Sequence, residues 1–212
     1  MKLKKVAALC SQAGIFQLLD QMDKNGEVVC QWLGDAAAFY PISGLPYMDT
    51  DNICAMFDIP EKKQEKSILR HTKAPDSFHW DDTDPAEYQL DDPKLCVRHE
   101  GREMLPLRTS AGITFIQRKY LAPLDSLEYL RLYERKGPDG GLYIVAKIGM
   151  VIQAVIMPVD IVNEEFVIQM ETLTAQCRAA LRSKNRRQET ELDKWLDTLF
   201  QEGEDTGEGA ET

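Results

Sequence analysis

Two stretches, each made of three apolar runs cut by glycine and closed by proline, constrain the fold of this chain more than any other feature. In the first, IFQLLDQM, EVVCQWL and AAAFYPI are separated by Asn25-Gly26 and Gly34-Asp35 and close on Pro41. Apolar runs of this length between glycine-bearing turns read as strands joined by hairpins. Asn25-Gly26 suits a type I′ turn, which needs positive φ at both central residues, and Gly34-Asp35 suits type II′, with glycine first. Ala36 to Ala38 let the third strand pack closely, Phe39 and Tyr40 face opposite sides, and Pro41 ends the ladder because it has no N–H to donate.

In the second stretch, LEYLRLYER, LYIVAKI and MVIQAVIM are divided by GPDGG and by Gly149 and close on Pro158. LDSLEYLRLYER also has capping-box spacing at Asp125 and Glu128, but the GPDGG turn decides for strand. Each meander hands over to a helix, the first at Asp49 or Thr50 and the second near Asp160. The expected fold class is therefore α+β, antiparallel β-meanders packed with helices, and the common element order suggests an internal duplication of a meander-proline-helix unit.

The rest of the chain divides around these stretches. Leu3, Val6, Cys10 and Ala13 share one face of an N-terminal helix that Gly14 stops. Residues 72 to 94, with seven acids, two lysines and three prolines, read as a solvated connector between an N-terminal half, 1 to 71, and a C-terminal half, 95 to 185. In the second half, a hairpin is expected at Glu100-Gly101 and a further strand after Ala111-Gly112. A helix from Asp160 to about Ser183 carries Ile161, Phe166, Met170, Leu173, Cys177 and Leu181 on one stripe. A separate terminal amphipathic helix is expected within 186 to 200, and 201 to 212 is expected to be a disordered acidic tail.

Charge and cysteine usage narrow the class. The net charge is -10, but the last twelve residues hold five acids and no base, so half of it sits in the tail. The body is only mildly acidic, which excludes a uniformly basic nucleic-acid coat. Five widely spaced cysteines with no CxxC pair read as free thiols in a reducing compartment. No apolar run approaches the roughly 18 residues a membrane span needs, so the expectation is a cytoplasmic protein with no membrane partner.

Chemistry is sparsely signalled. No GxSxG, Walker, GxGxxG or HExxH pattern occurs, and HWDDTD, residues 79 to 84, lacks the glycine and glutamate of an EF-hand loop. Those acids read as a solvated loop, His99 as an exposed turn residue, and Cys30 and Cys54 as packing thiols. No catalytic residue, metal ligand or cofactor is assigned, and an enzyme would require a composite site built from distant residues.

Two surfaces remain. Leu192, Trp195, Leu196, Leu199 and Phe200 form an apolar face on the terminal helix that would dock on a protein partner, another copy included, or fold back on the core. Lys2, Lys4 and Lys5, with Arg178, Arg182, Lys184, Arg186 and Arg187, are the candidate nucleic-acid contacts. The five cations from 178 to 187 are read first as complementing a helix C-terminus, with phosphate contact as the alternative.

The segments WLGDAAAFYPISGLP, LPLRTSAGITFIQRKYLAPL and GLYIVAKIGMVIQAVIMPV resemble those of uncharacterised proteins encoded by prophages of Gram-positive bacteria. The resemblance covers the chain to about residue 180 and implies a phage or mobile-element setting, with no activity or site residues to transfer. In outline, a repeated helix and meander is also similar to the duplicated units of DNA polymerase sliding clamps. The leading expectation is a non-enzymatic accessory protein of phage type. Its alternatives are a nucleic-acid-associated, clamp-like replication factor and a metal-dependent or thiol enzyme.

Overall fold

A computed structural model describes residues 1–204, with the side chains of 189, 193 and 196–204 outside the description. The chain divides into two compact units, Met1–Asp160 and Ile161–Thr212.

The first unit is α+β. Helix α1 (Leu3–Ala13) ends at Gly14, whose φ of 68° provides the left-handed cap. The first meander follows as β1 (Ile15–Met22), β2 (Val28–Gly34) and β3 (Ala38–Ile42). After α2 (Thr50–Met56), α3 (Glu61–Gln64) and β4 (Ile68–Lys73) come the two-residue strand β5 (Tyr88–Gln89) and a three-stranded sheet, β6 (Val97–His99), β7 (Arg102–Thr109) and β8 (Gly112–Gln117). A 3-10 helix, Arg118–Leu124, leads into the second meander, β9 (Leu130–Lys136), β10 (Leu142–Ile148) and β11 (Val151–Ile156). The hairpin between β6 and β7 turns at Glu100 and Gly101, both at positive φ as type I′ requires. Asp49 caps α2 in a reciprocal pair with Asn52.

The two meanders share one eight-stranded sheet of order β4-β1-β2-β3-β11-β10-β9-β5. They join through their third strands, antiparallel, with Phe39 opposite Val155 and Ala38 opposite Ile156. That ladder stops short of Pro41, while the ladder to β2 runs on to Ile42. The alternation of β10 shows why both faces are covered: Ile144 and Ala146 enter one apolar cluster, Tyr143 and Val145 the other. The larger cluster takes Val6, Leu9 and Cys10 from α1, Ile53 from α2, Tyr120 and Leu124 from the 3-10 helix, and Leu105, Leu107 and Ile116 from the small sheet.

Three expectations are corrected in this unit. Asn25 is not at positive φ; Gly26 alone is, at 82°, because Asp23 takes the amides of Asn25 and Glu27 on its carboxylate and the turn becomes type I with a following glycine. The GPDGG turn repeats this bonding: Gly26 N–H to Asp23 C=O and Asp23 N–H to Glu27 C=O are matched by Gly140 to Gly137 and Gly137 to Gly141. At the second turn of the first meander Ala36, not Gly34, has positive φ, 72°. Gly34 is required for space instead, since a Cβ there would lie 1.9 Å from the Ala38 carbonyl oxygen.

The third correction concerns residues 72 to 94. Ala74, Trp80 and Leu90 are buried, and the Trp80 ring centroid lies 4.9 Å from Trp32 and 5.5 Å from Phe78, forming the cover of the second apolar cluster. Most of its acids stay at the surface while Glu87 pairs with buried cations and a few apolar residues turn inward, so composition alone misreads it as solvated.

The second unit is described by helix α4 (Glu164–Glu204). Asn163 caps it, its side chain accepting from the Phe166 amide at 2.8 Å. The expected break between two helices does not occur. No proline or glycine stands between Pro158 and Gly203, and SKNRRQE, which spans the expected break, consists mostly of good helix formers. The expected tail lies largely outside the described residues. No helix among the described residues is long and apolar enough to cross a membrane.

Candidate functional site

Helix α4 is about 60 Å long, from 41 residues at a rise of about 1.5 Å each. From Val167 to Trp195 nearly every described side chain is exposed, including Leu173 (51%), Leu181 (59%), Leu192 (57%) and Trp195 (59%). Phe166, Met170, Leu173 and Cys177 follow four- and three-residue steps. Leu181, Asn185, Gln188, Leu192 and Trp195 resume them after one extra four-residue step. That spacing keeps one face along the helix, the geometry of a coiled-coil seam. Isolated exposed leucines need no explanation, whereas these apolar side chains recur on one face of a long helix. Leu192 and Trp195 thus stand exposed on the face expected of them, whereas the side chains of Leu196, Leu199 and Phe200 lie outside the description.

The candidate nucleic-acid residues fall on both units. Lys2 precedes α1, Lys4 lines a cleft with Met56, Phe57 and Lys63, and Lys5 points to the 3-10 helix, donating to Ala122 C=O and Asp125 at 2.9 and 3.0 Å. Arg178, Arg182, Lys184, Arg186 and Arg187 are exposed on α4 in the other unit. A basic site that the sequence reading missed lies on the small sheet, where a cleft of about 610 Å³ is lined by Arg98, Arg102, Arg118 and Lys119 together with Glu103 and Asp125. Arg118 meets Glu103 at 3.4 Å and Lys119 lies over the Tyr120 ring, while Arg98 and Arg102 make no ion pair among the described residues. Both arginines line this cleft, although the register sets Arg98 opposite Glu103 and Arg102 opposite His99, on alternate faces of the hairpin, a placement legible only once the strand register is known.

A polar cluster on β1 and β4 was also missed. Parallel pairing of these strands sets His71 Nε2 2.9 Å from Asp20 Oδ2, with Tyr47 donating to Asp20 at 3.0 Å and Gln31 at 2.7 Å. Burial pushes the Asp20 pKa up, but the bonds from His71, Gln31 and Tyr47 outweigh it and hold the carboxyl below its ordinary value. An Asp-His pair can orient a general base, yet among the described residues the hydrogen-bond partners of the imidazole are Asp20 and Tyr47.

The acids of HWDDTD are used one at a time. Asp82 accepts the Ile152 amide at 2.9 Å, Asp84 the Ala86 amide at 2.9 Å, and Asp81 the Gln21 side chain at 3.4 Å. Among the described residues no three His, Cys, Asp or Glu side chains are grouped to hold a metal ion. A cleft of about 480 Å³ beside Asp81, Asp82, Trp32 and Trp80 includes Cys30, whose thiol is pushed up by burial and then by the Asp82 charge. Burial and the nearby Asp35 push Cys10 to about 12. Both shifts favour the thiol over the nucleophilic thiolate.

Comparison with protein-family models, with curated proteins and with solved structures found no match.

Proposed function

We propose that this protein acts by binding another polypeptide through the apolar seam of α4, as an accessory or assembly protein without chemistry of its own. The observation that supports this reading is the seam itself: regularly spaced apolar side chains exposed along a single long helix. The phage or mobile-element setting rests on the sequence resemblance alone. The test is quantitative affinity capture with the full chain and with a Leu181→Asp, Leu192→Asp variant. The variant is expected to lose the proteins retained by the parent chain, and equal retention of every one of them would refute the reading.

A second reading, nucleic-acid association, is favoured by Arg98 and Arg102 in the cleft on the small sheet, which make no ion pair among the described residues. Binding of single-stranded DNA at low salt that weakens steeply with added salt and is lost in Arg98→Ala, Arg102→Ala would support it. No retention at low salt would dismiss it.

A further inference from the structure

The charge order along α4 points to what covers its seam. Residues 178 to 187 carry five cations and no acid, and residues 188 to 204 carry six acids and one lysine. Two such helices laid parallel would set each block against its like. Laid antiparallel, each basic block faces an acidic one, and twofold symmetry makes the match twice.

The seam selects a register consistent with this charge match. Leu181 and Gln188 occupy one core position of the 3.5-residue repeat, with Trp195, and Asn185 and Leu192 the other. With the two helices crossing between positions 186 and 187, Leu181 packs on Leu192 of the second copy and Asn185 meets Gln188 of the second copy, amide against amide. Arg178 falls across from the indole of Trp195, and Lys184 flanks the seam opposite Glu191. All eight side chains are exposed in the single chain. The two polar layers sit at the centre, where buried amides fix register in coiled coils.

We infer that α4 pairs antiparallel with α4 of a second copy of this chain, in the register that sets Leu181 on Leu192 and Lys184 on Glu191. The inference rests on α4 being a protein-binding surface and names its occupant. Cys177 separates the two orientations. In the antiparallel register it lies opposite position 196, about 28 Å along the axis from Cys177 of the second copy, whereas a parallel pair sets the two thiols side by side.

The experiment is sedimentation equilibrium of the full chain, with the same measurement on Lys184→Glu and on Lys184→Glu combined with Glu191→Lys. The parent is expected at twice the 24.1 kDa chain mass. The single change is expected to weaken association roughly tenfold, because two symmetric contacts turn repulsive, and the double change to restore it. Mild oxidation is expected to leave Cys177 uncoupled between copies. A chain that sediments as a monomer throughout, a double variant as weak as the single one, or a dimer joined through Cys177 would each overturn the proposal. A monomer whose captured partners still depend on Leu181 and Leu192 would overturn this pairing and leave the protein-binding reading standing.

Discussion

Replacing Glu87 should unfasten the cover of the second apolar cluster. Its carboxylate is shared by two cations with almost no solvent contact: Lys147 Nζ donates to Oε1 at 2.6 Å, and Arg135 Nε and Nη2 donate to Oε2 at 2.9 and 2.6 Å. The remaining Arg135 donors hold the carbonyls of His79, Asp81 and Asp82 at 3.0, 2.7 and 3.1 Å, so the guanidinium ties the 79–87 segment to the sheet. Glu87→Ala would leave both cations buried without their anion. Breaking a buried pair from one side costs about 3–5 kcal/mol, which at about 2–4 °C per kcal/mol for a chain of this size lowers Tm by about 6–20 °C. Lys147→Met, which leaves Glu87 with Arg135, should cost about 1 kcal/mol or less by comparison. Urea and thermal unfolding followed by circular dichroism give both values, and hydrogen exchange should show residues 78 to 90 loosening first in Glu87→Ala. A loss below about 1 kcal/mol in Glu87→Ala would refute the idea that this carboxylate neutralises a desolvated pair.

Other changes test other parts of the structure. Gly34→Ala should destabilise by at least about 2 kcal/mol in urea titrations, since the new methyl meets backbone rather than a movable side chain. A thiol reagent should label the exposed Cys96 and Cys177 quickly and the buried Cys10 and Cys54 only on unfolding; rapid native labelling of Cys10 would contradict its placement on the buried face of α1. Asp20 has a folded-state pKa below its ordinary 3.8. Its stabilising effect is thus present above about pH 4 and is lost as pH falls through the lowered value. Asp20→Asn should therefore be less stable than the parent at pH 7, with the difference shrinking toward pH 2 in acid titrations of stability.

What could be read from the sequence followed from local chemistry. The strands of both meanders, the capped helix at Asp49 and the hairpin at Glu100-Gly101 come from turn residues and apolar alternation, which act over a few positions. The turn at Asn25-Gly26 was placed correctly but mistyped, because the carboxylate of Asp23 decides between two backbone geometries that the same dipeptide accommodates. The cover formed by Phe78 and Trp80 was lost among acids, and β4 and β5 went unseen because an edge strand with few buried positions leaves little pattern. The site-level groupings were beyond reach for a different reason: His71 reaches Asp20, and Arg135 reaches Glu87, through strand pairing and loop closure across about fifty residues. The seam of α4 was only half read, since its spacing becomes continuous once the helix is known to pass through SKNRRQE without a break.

The most direct test of the account is hydrogen exchange along residues 178 to 195 in the intact protein, compared between concentrated and dilute samples and with Leu181→Asp, Leu192→Asp. A covered seam predicts slow exchange of these amides in the concentrated parent that disappears on dilution and in the variant. Equal exchange in all three would contradict the claim that a second copy of the chain covers this face of α4.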